Sequence, residues 1–167
     1  MKKQENNKRK FKIDKIVLLR AVLLLTICFW AILVFNFSSQ NGPQSSGLSR
    51  KVVEFFVKDE QIINMVEPYV RKLAHFSEYA LGGVLFLSLF ATYKEYSDNK
   101  QLVISILLGI LYASSDEIHQ LMVPFRKGSI VDVFIDMLGF STGACSMLLI
   151  IKVVSMVRSK NKKLVKA

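Results

Sequence analysis

The chain has 167 residues, 51% of them hydrophobic and 22% charged, with a formal charge of +10. Hydrophobicity at that level excludes a disordered chain, and 8 Gly with 3 Pro exclude a collagen-like or linker-like one. Two cysteines, Cys28 and Cys145, each inside an apolar run, exclude a disulfide framework. The charges crowd into both tails and the connecting loops, leaving long apolar runs between them. That distribution predicts an integral membrane protein, all-α, with four transmembrane helices.

The first span is predicted over residues 16–37, long enough for the about 20 residues that cross a hydrocarbon core. The basic stretch Lys8-Arg9-Lys10 ahead of it suggests a signal peptide. However, the apolar core is too long, and Phe35-Asn36-Phe37-Ser38-Ser39-Gln40 lacks small residues at the spacing of a cleavage site. It is read as an uncleaved span, with Arg20 snorkelling to the near interface. The loop that follows, 38–72, carries Leu48, Val52, Phe55 and Phe56 on one helical face, against Arg50, Lys51, Glu54 and Lys58. The apolar theme continues through Ile62, Ile63 and Val66 to Pro68. An amphipathic helix lying in the interface is expected here, with a lid over the bundle as the alternative.

The second span is expected over 73–93, with His75 and Glu78 in its first turns. The third, about 102–122, crosses only by taking Ser114-Ser115-Asp116-Glu117-Ile118-His119-Gln120 with it. The fourth, 130–151, carries Asp132 and Asp136 near its start and is joined to the third by a short link, making an antiparallel pair. Residues 1–15 and 158–167 read as basic tails around a domain of 16–157. Eight Lys and Arg lie in the N-terminal segment, two between spans two and three and six at the C-terminus, against seven on the opposite side. The excess predicts both termini in the cytoplasm. Basic tails beside apolar spans act as topology signals and anionic-lipid contacts, so the charge calls for no nucleic-acid partner.

With that orientation the polar residues of the spans gather in one outer layer. A lone Asp at a helix centre costs about 2.5–3.5 kcal/mol to insert, so several acids are better accommodated in a shared, wetted pocket. Lys72, His75 and Tyr79 share one helical face; Asp116, His119 and Gln120 share another; Asp132 and Asp136 stack one turn apart. Simpler roles compete. Ser129-x-x-Asp132 is capping-box-like, and Ser114-x-x-Glu117 could mark a break in the third span, leaving Glu117 a cap or a solvent-facing residue. His75 alone could be a hydrogen-bonded structural histidine. Asp136, a turn deeper, has no such role. Gly139 and Gly143 form a small-xxx-small pattern that Gly82 and Gly83 could receive, or that a homo-oligomer could use.

Three blocks carry a resemblance. Arg71-Lys72-Leu73-Ala74-His75-Phe76-Ser77-Glu78-Tyr79-Ala80-Leu81-Gly82, then Ser115-Asp116-Glu117-Ile118-His119-Gln120 with Pro124-Phe125-Arg126 and Asp132 to Gly139, and the earlier Phe37-Ser38-Ser39-Gln40 resemble VanZ-like membrane proteins over roughly residues 16–155. The resemblance implies the bacterial cytoplasmic membrane, a role in the cell envelope and, for founding members, reduced susceptibility to teicoplanin-type glycopeptides. It brings no catalytic mechanism.

The leading expectation is a site for an outer-leaflet envelope lipid or lipid-linked cell-wall precursor. Lys72, Arg126 and Lys127 would hold phosphate or carboxylate, and His75, Glu78, Tyr79, Asp116, His119, Gln120, Asp132 and Asp136 the remaining polar groups. A metal-dependent enzyme is the alternative, with His75, Glu78, Asp116, Glu117, His119 and Asp136 as catalytic candidates. Zinc or manganese would suit that donor set, although no established zinc spacing is present. A non-catalytic structural or regulatory module is the third reading. Asp116-Glu117-Ile118-His119 spells a helicase-type string, but without a phosphate-binding Gly-rich loop that meaning is dropped.

Overall fold

The computed structural model describes residues 2–40, 42–125 and 129–164, and the side chains of 15–40, 46–125, 129–161 and 164. The described residues form helices α1 (Lys2–Ser38), α2 (Gly42–Phe56), α3 (Glu60–Phe90), α4 (Asp98–Gln120) and α5 (Ile130–Leu164). Four contain stretches long and apolar enough to cross a membrane: Lys15–Ser38, Glu60–Phe90, Asp98–Gln120 and Ile130–Asn161. The fifth, α2, is the short amphipathic helix of the first loop.

The centre of the bundle is the α3–α5 pair, and glycine makes it possible. A Cβ on Gly143 would run into the backbone carbonyl of Ala80, one on Gly139 into that of Phe76, and one on Gly83 into that of Phe140. In hydrocarbon, where apolar association gains little from expelling water, such backbone proximity is what holds helices together. The small-xxx-small stripe is therefore used within the chain. Of its expected acceptors, Gly83 meets α5, while Gly82 turns to α1 and lies beneath the Trp30 ring.

Trp30, with Ile27 and Val34, is on the buried stripe of α1. Its ring packs edge-on against Tyr79 and Phe86, with centroids 6.1 Å away in each case, and tilted against Tyr112 at 5.1 Å. The indole N–H donates to the Glu78 carbonyl at 2.9 Å, and the Tyr112 hydroxyl donates to the Ala31 carbonyl at 2.7 Å. A helical carbonyl has a second lone pair to offer, and the missing side chain at Gly82 lets the indole reach it. Two side-chain bonds to backbone thus fix α1 where its remaining apolar side chains face lipid.

At the opposite end Arg20 does not simply snorkel. Its Nε donates to Thr92 Oγ1 at 2.9 Å and Nη2 to the Thr92 carbonyl at 3.0 Å, with the guanidinium 3.7 Å from the Tyr93 ring centroid. Thr92 and Tyr93 follow the last turn of α3, whose unpaired carbonyls and dipole favour a cation. Gln101 closes the same turn by donating to the carbonyls of Tyr93 and Tyr96.

Two local expectations give way to the structure. Pro68 does not end a helix. Asp59 starts one, its carboxylate accepting from the backbone of Gln61 at 2.8 Å and Ile62 at 3.2 Å, and α3 runs from there through Pro68. Ile62, Ile63 and Val66 therefore belong to α3 and not to the interfacial helix. Nor does α4 break near Ser114. It is continuous to Gln120, and Glu117 is neither its cap nor solvent-facing: it is 5% exposed and its Oε2 accepts the Ser129 N–H at 2.9 Å. One buried carboxylate of α4 thereby satisfies an N–H at the start of α5, where helix N–H groups lack internal partners.

Candidate functional site

A cleft of about 230 Å³ opens where α2 lies across the ends of the bundle helices. The end of α1 contributes Val34, Phe37, Ser38 and Gln40; α2 contributes Leu48, Ser49 and Val52; α3 contributes Val70, Arg71, Ala74, His75 and Glu78; α4 contributes Asp116. The α3 residues recur at the three- and four-residue spacing of one helical face. That volume accommodates a polar head group or a few waters, at about 30 Å³ each, but not a whole lipid.

α2 roofs the cleft with Leu48, Ser49 and Val52 and leaves Phe55 and Phe56 exposed, as an interfacial anchor would. It is held by Arg50. The guanidinium donates to Glu54 Oε1 at 2.6 Å, to Asn64 Oδ1 at 3.0 Å and to Glu60 Oε2, so it binds its own helix and the first turns of α3. The carboxylates of Glu60 and Glu54 push its pKa above even the usual arginine value.

Beneath the cleft lies the buried polar layer. His75 Nδ1 of α3 is 3.5 Å from Oδ1 of Asp136 of α5, which is 0% exposed. Tyr79, one turn below His75, is also fully buried, and its hydroxyl falls in the electrostatic field of Asp116 and Asp136. Asp116 Oδ2 accepts from Gln120 Nε2 at 3.0 Å. The His75 contact, at 3.5 Å, is too long to satisfy the Asp136 carboxylate fully. A buried carboxylate left this way is costly unless a proton, a water or a ligand completes it.

The expected residues sort into distinct places. His75, Glu78 and Asp116 line the cleft; Tyr79, Gln120 and Asp136 lie buried around them. Asp132 is half-buried near the same group, its backbone N–H bonded to the Ser129 carbonyl at 2.9 Å. Lys72, although one turn from His75 on the helix, is exposed and outside the lining; Arg71 takes its place. His119 also leaves the cluster. Its Nε2 lies 3.1 Å from Ser39 Oγ and its ring stacks on Phe35 at 4.5 Å, so it serves the α1–α4 contact. Arg126 and Lys127 lie outside the described residues. Among those described, no three His, Cys, Asp or Glu side chains group closely enough to hold a metal ion. The zinc or manganese alternative therefore lacks its ligand set there, with His119 turned to α1.

From the sequence, Arg71 belongs to the outer polar layer without a role in the site, and Ser38, Gln40 and Ser49 carry none. Arg71 could have been found from the 71/74/75/78 face, and Ser38 and Gln40 from the Phe37-Ser38-Ser39-Gln40 block. A family model described as VanZ/LLP1 matches residues 23–152. The chain belongs to the VanZ/LLP1 family. No curated protein and no solved structure matches it. The matched segment starts in α1 and ends in α5, so the VanZ/LLP1 region holds all the elements of the cleft and omits the basic tails. With four helices able to span, this VanZ/LLP1 chain is a multi-pass membrane protein, and its apolar helix faces contact membrane lipid.

Proposed function

We propose that this VanZ/LLP1 protein sits in the bacterial cytoplasmic membrane with both termini inside and binds the head group of an outer-leaflet envelope lipid in the cleft under α2. The orientation rests on the excess of Lys and Arg in the tails and the 94–100 loop. One observation carries the binding role: Arg71, His75, Glu78 and Asp116 meet within a cleft whose other walls include Val34, Leu48, Val52 and Val70. A cation beside acids and an imidazole suits a phosphate-bearing head group rich in hydroxyls or amides. The apolar walls suit the first carbons of its tail. Phe55 and Phe56 would keep α2 at the depth of the glycerol region.

A lipid-linked cell-wall precursor is the occupant that connects this site to glycopeptides, since teicoplanin-type drugs act on such precursors at the outer face. Binding or altering that lipid would lower susceptibility. Protein extracted with its surrounding lipid into polymer discs and analysed by native mass spectrometry should retain a defined phosphate-bearing lipid, and Arg71→Ala should lose it. Expression in a susceptible host should raise the teicoplanin concentration needed for inhibition, and Arg71→Ala should reverse that rise. Equal lipid retention by wild type and Arg71→Ala overturns the binding role. Unchanged susceptibility with lipid retained removes only the link to glycopeptides.

A further inference from the structure

His75 is the one imidazole in the cleft lining, and its two nitrogens have different surroundings. Nδ1 faces Asp136 Oδ1 at 3.5 Å, on the protein side. Nε2, separated from Nδ1 by Cε1, is the ring nitrogen left for a ligand in the cleft that His75 lines. A histidine backed by a buried carboxylate, with its second nitrogen open to a ligand site, has the arrangement of a general base. The carboxylate fixes ring and tautomer and stabilises the imidazolium that forms. The contact is longer than a good hydrogen bond, as catalytic contacts often are before substrate is bound.

Depth along α3 selects the bond. Arg71 stands where the helix meets its apolar stretch, and His75 is four residues further in, about 6 Å at 1.5 Å per residue. In a glycerolipid whose phosphate lies at the level of Arg71, the acyl ester carbonyls come next on the way to the tails. An imidazole one turn deeper than the residue that holds the phosphate therefore stands at the level of an ester.

We infer that His75 is the general base, and then the general acid, for hydrolysis of an acyl ester of a glycerolipid held in this cleft, with Asp136 as its positioning residue. The inference rests on the head-group binding proposed above, with a glycerolipid as the occupant in place of a polyprenyl-linked precursor, which carries no acyl ester. A water O–H gives its proton to His75 Nε2 as the water oxygen bonds to the ester carbonyl carbon, and the carbonyl electron pair moves onto oxygen. The tetrahedral species collapses, the carbon–oxygen bond to glycerol breaks, and the departing oxygen takes the proton from His75 Nε2. Water and the ester are the only reactants; a fatty acid and a lysolipid are the products. Asp136 makes no bond to the reacting atoms and acts through the His75 ring.

The test uses the full chain in nanodiscs containing diacyl phosphatidylglycerol or, separately, its dialkyl ether analogue. Fatty-acid release and retained lipid are both measured by mass spectrometry. Wild type should release fatty acid from the diacyl lipid and retain the ether analogue intact. His75→Gln should slow release about 100-fold or more, well beyond any change in the amount of ether lipid it retains in the same discs. Asp136→Asn should lower turnover with lipid retention unchanged, which a merely structural role would not produce. His75→Asn replaces His75→Gln should the latter not fold. Fatty-acid release by wild type no greater than from protein-free discs, or release by His75→Gln at the wild-type rate, overturns the inference and leaves lipid binding standing. Retention of neither lipid overturns both.

Discussion

Gly143→Ala is the sharpest perturbation of the fold, because one methyl group meets backbone and not a flexible side chain. A Cβ there would lie 2.7 Å from the carbonyl carbon of Ala80 and 3.0 Å from its Cα, and closer still to the carbonyl oxygen. Neither partner can swing aside, so α3 and α5 must separate. Separation also loosens the Gly139–Phe76 and Gly83–Phe140 contacts on the same stripe. Replacing Gly by Ala within a helix gains about 1 kcal/mol of intrinsic propensity. Overpacking costs about 1–3 kcal/mol in rigid cores, and a backbone-to-backbone contact shared along two helices belongs at or above the upper end. The expected net loss is about 2 kcal/mol, roughly a 30-fold change in the folded-to-unfolded ratio. Gly47→Ala is the control, since nothing lies within 4 Å of a Cβ at that position. Trp30, the single tryptophan, is buried against α3 and α4 and reports unfolding by its fluorescence in detergent micelles. Gly143→Ala should lower the midpoint by about 4–8 °C, at about 2–4 °C per kcal/mol for a chain of this size. Gly47→Ala should leave it unchanged or raise it. A Gly143→Ala midpoint within a degree of wild type, or equal damage from both, would refute the backbone-contact account of the α3–α5 pair.

Other consequences are measurable by the same unfolding experiment or by hydrogen exchange. Glu117→Ala strips the Ser129 N–H of its acceptor in a buried place and should cost about 1–3 kcal/mol, whereas Glu117→Gln keeps a carbonyl oxygen and should lose less. Trp30→Phe removes the bond to the Glu78 carbonyl and part of the ring packed over Gly82, and should cost about 1–3 kcal/mol, read by circular dichroism. Trp30→Ala, which also empties the space among Tyr79, Phe86 and Tyr112, should cost about 3–5 kcal/mol. Arg50→Ala frees α2 from Glu60 and Asn64, so backbone exchange should accelerate in α2 and stay unchanged in α4 and α5. Equal acceleration in all helices would show that Arg50 supports the whole bundle.

Apolar run length made the four spanning helices legible, since about 20 residues of hydrocarbon-compatible chain have few other uses. Helical spacing made the small-residue stripe legible as well. The apolar theme up to Pro68 does not reveal that Asp59 caps a new helix, which runs on through the proline into the second span. The polar layer was legible in composition but not in rotation. Periodicity places Lys72 and His75 on one face of α3, yet only packing against the neighbouring helices decides that Arg71 lines the cleft and Lys72 does not. His119 shows the same limit: its spacing from Asp116 suggested one site, and its stacking on Phe35 takes it to another contact. Long-range pairs such as His75 with Asp136 follow from α3 and α5 approaching at Gly83, Gly139 and Gly143, a consequence of tertiary packing that spacing within one helix cannot give.

Coupling between His75 and Asp136, measured by a double-mutant cycle, tests most directly whether residues from separate helices converge below the cleft. Unfolding free energies would be determined in bicelles for wild type, His75→Ala, Asp136→Ala and the double variant. Side chains that meet as described should be non-additive by at least about 1 kcal/mol, because losing either partner leaves the other buried and uncompensated. Additivity within about 0.5 kcal/mol would mean that the two do not interact, and the site as drawn would be wrong.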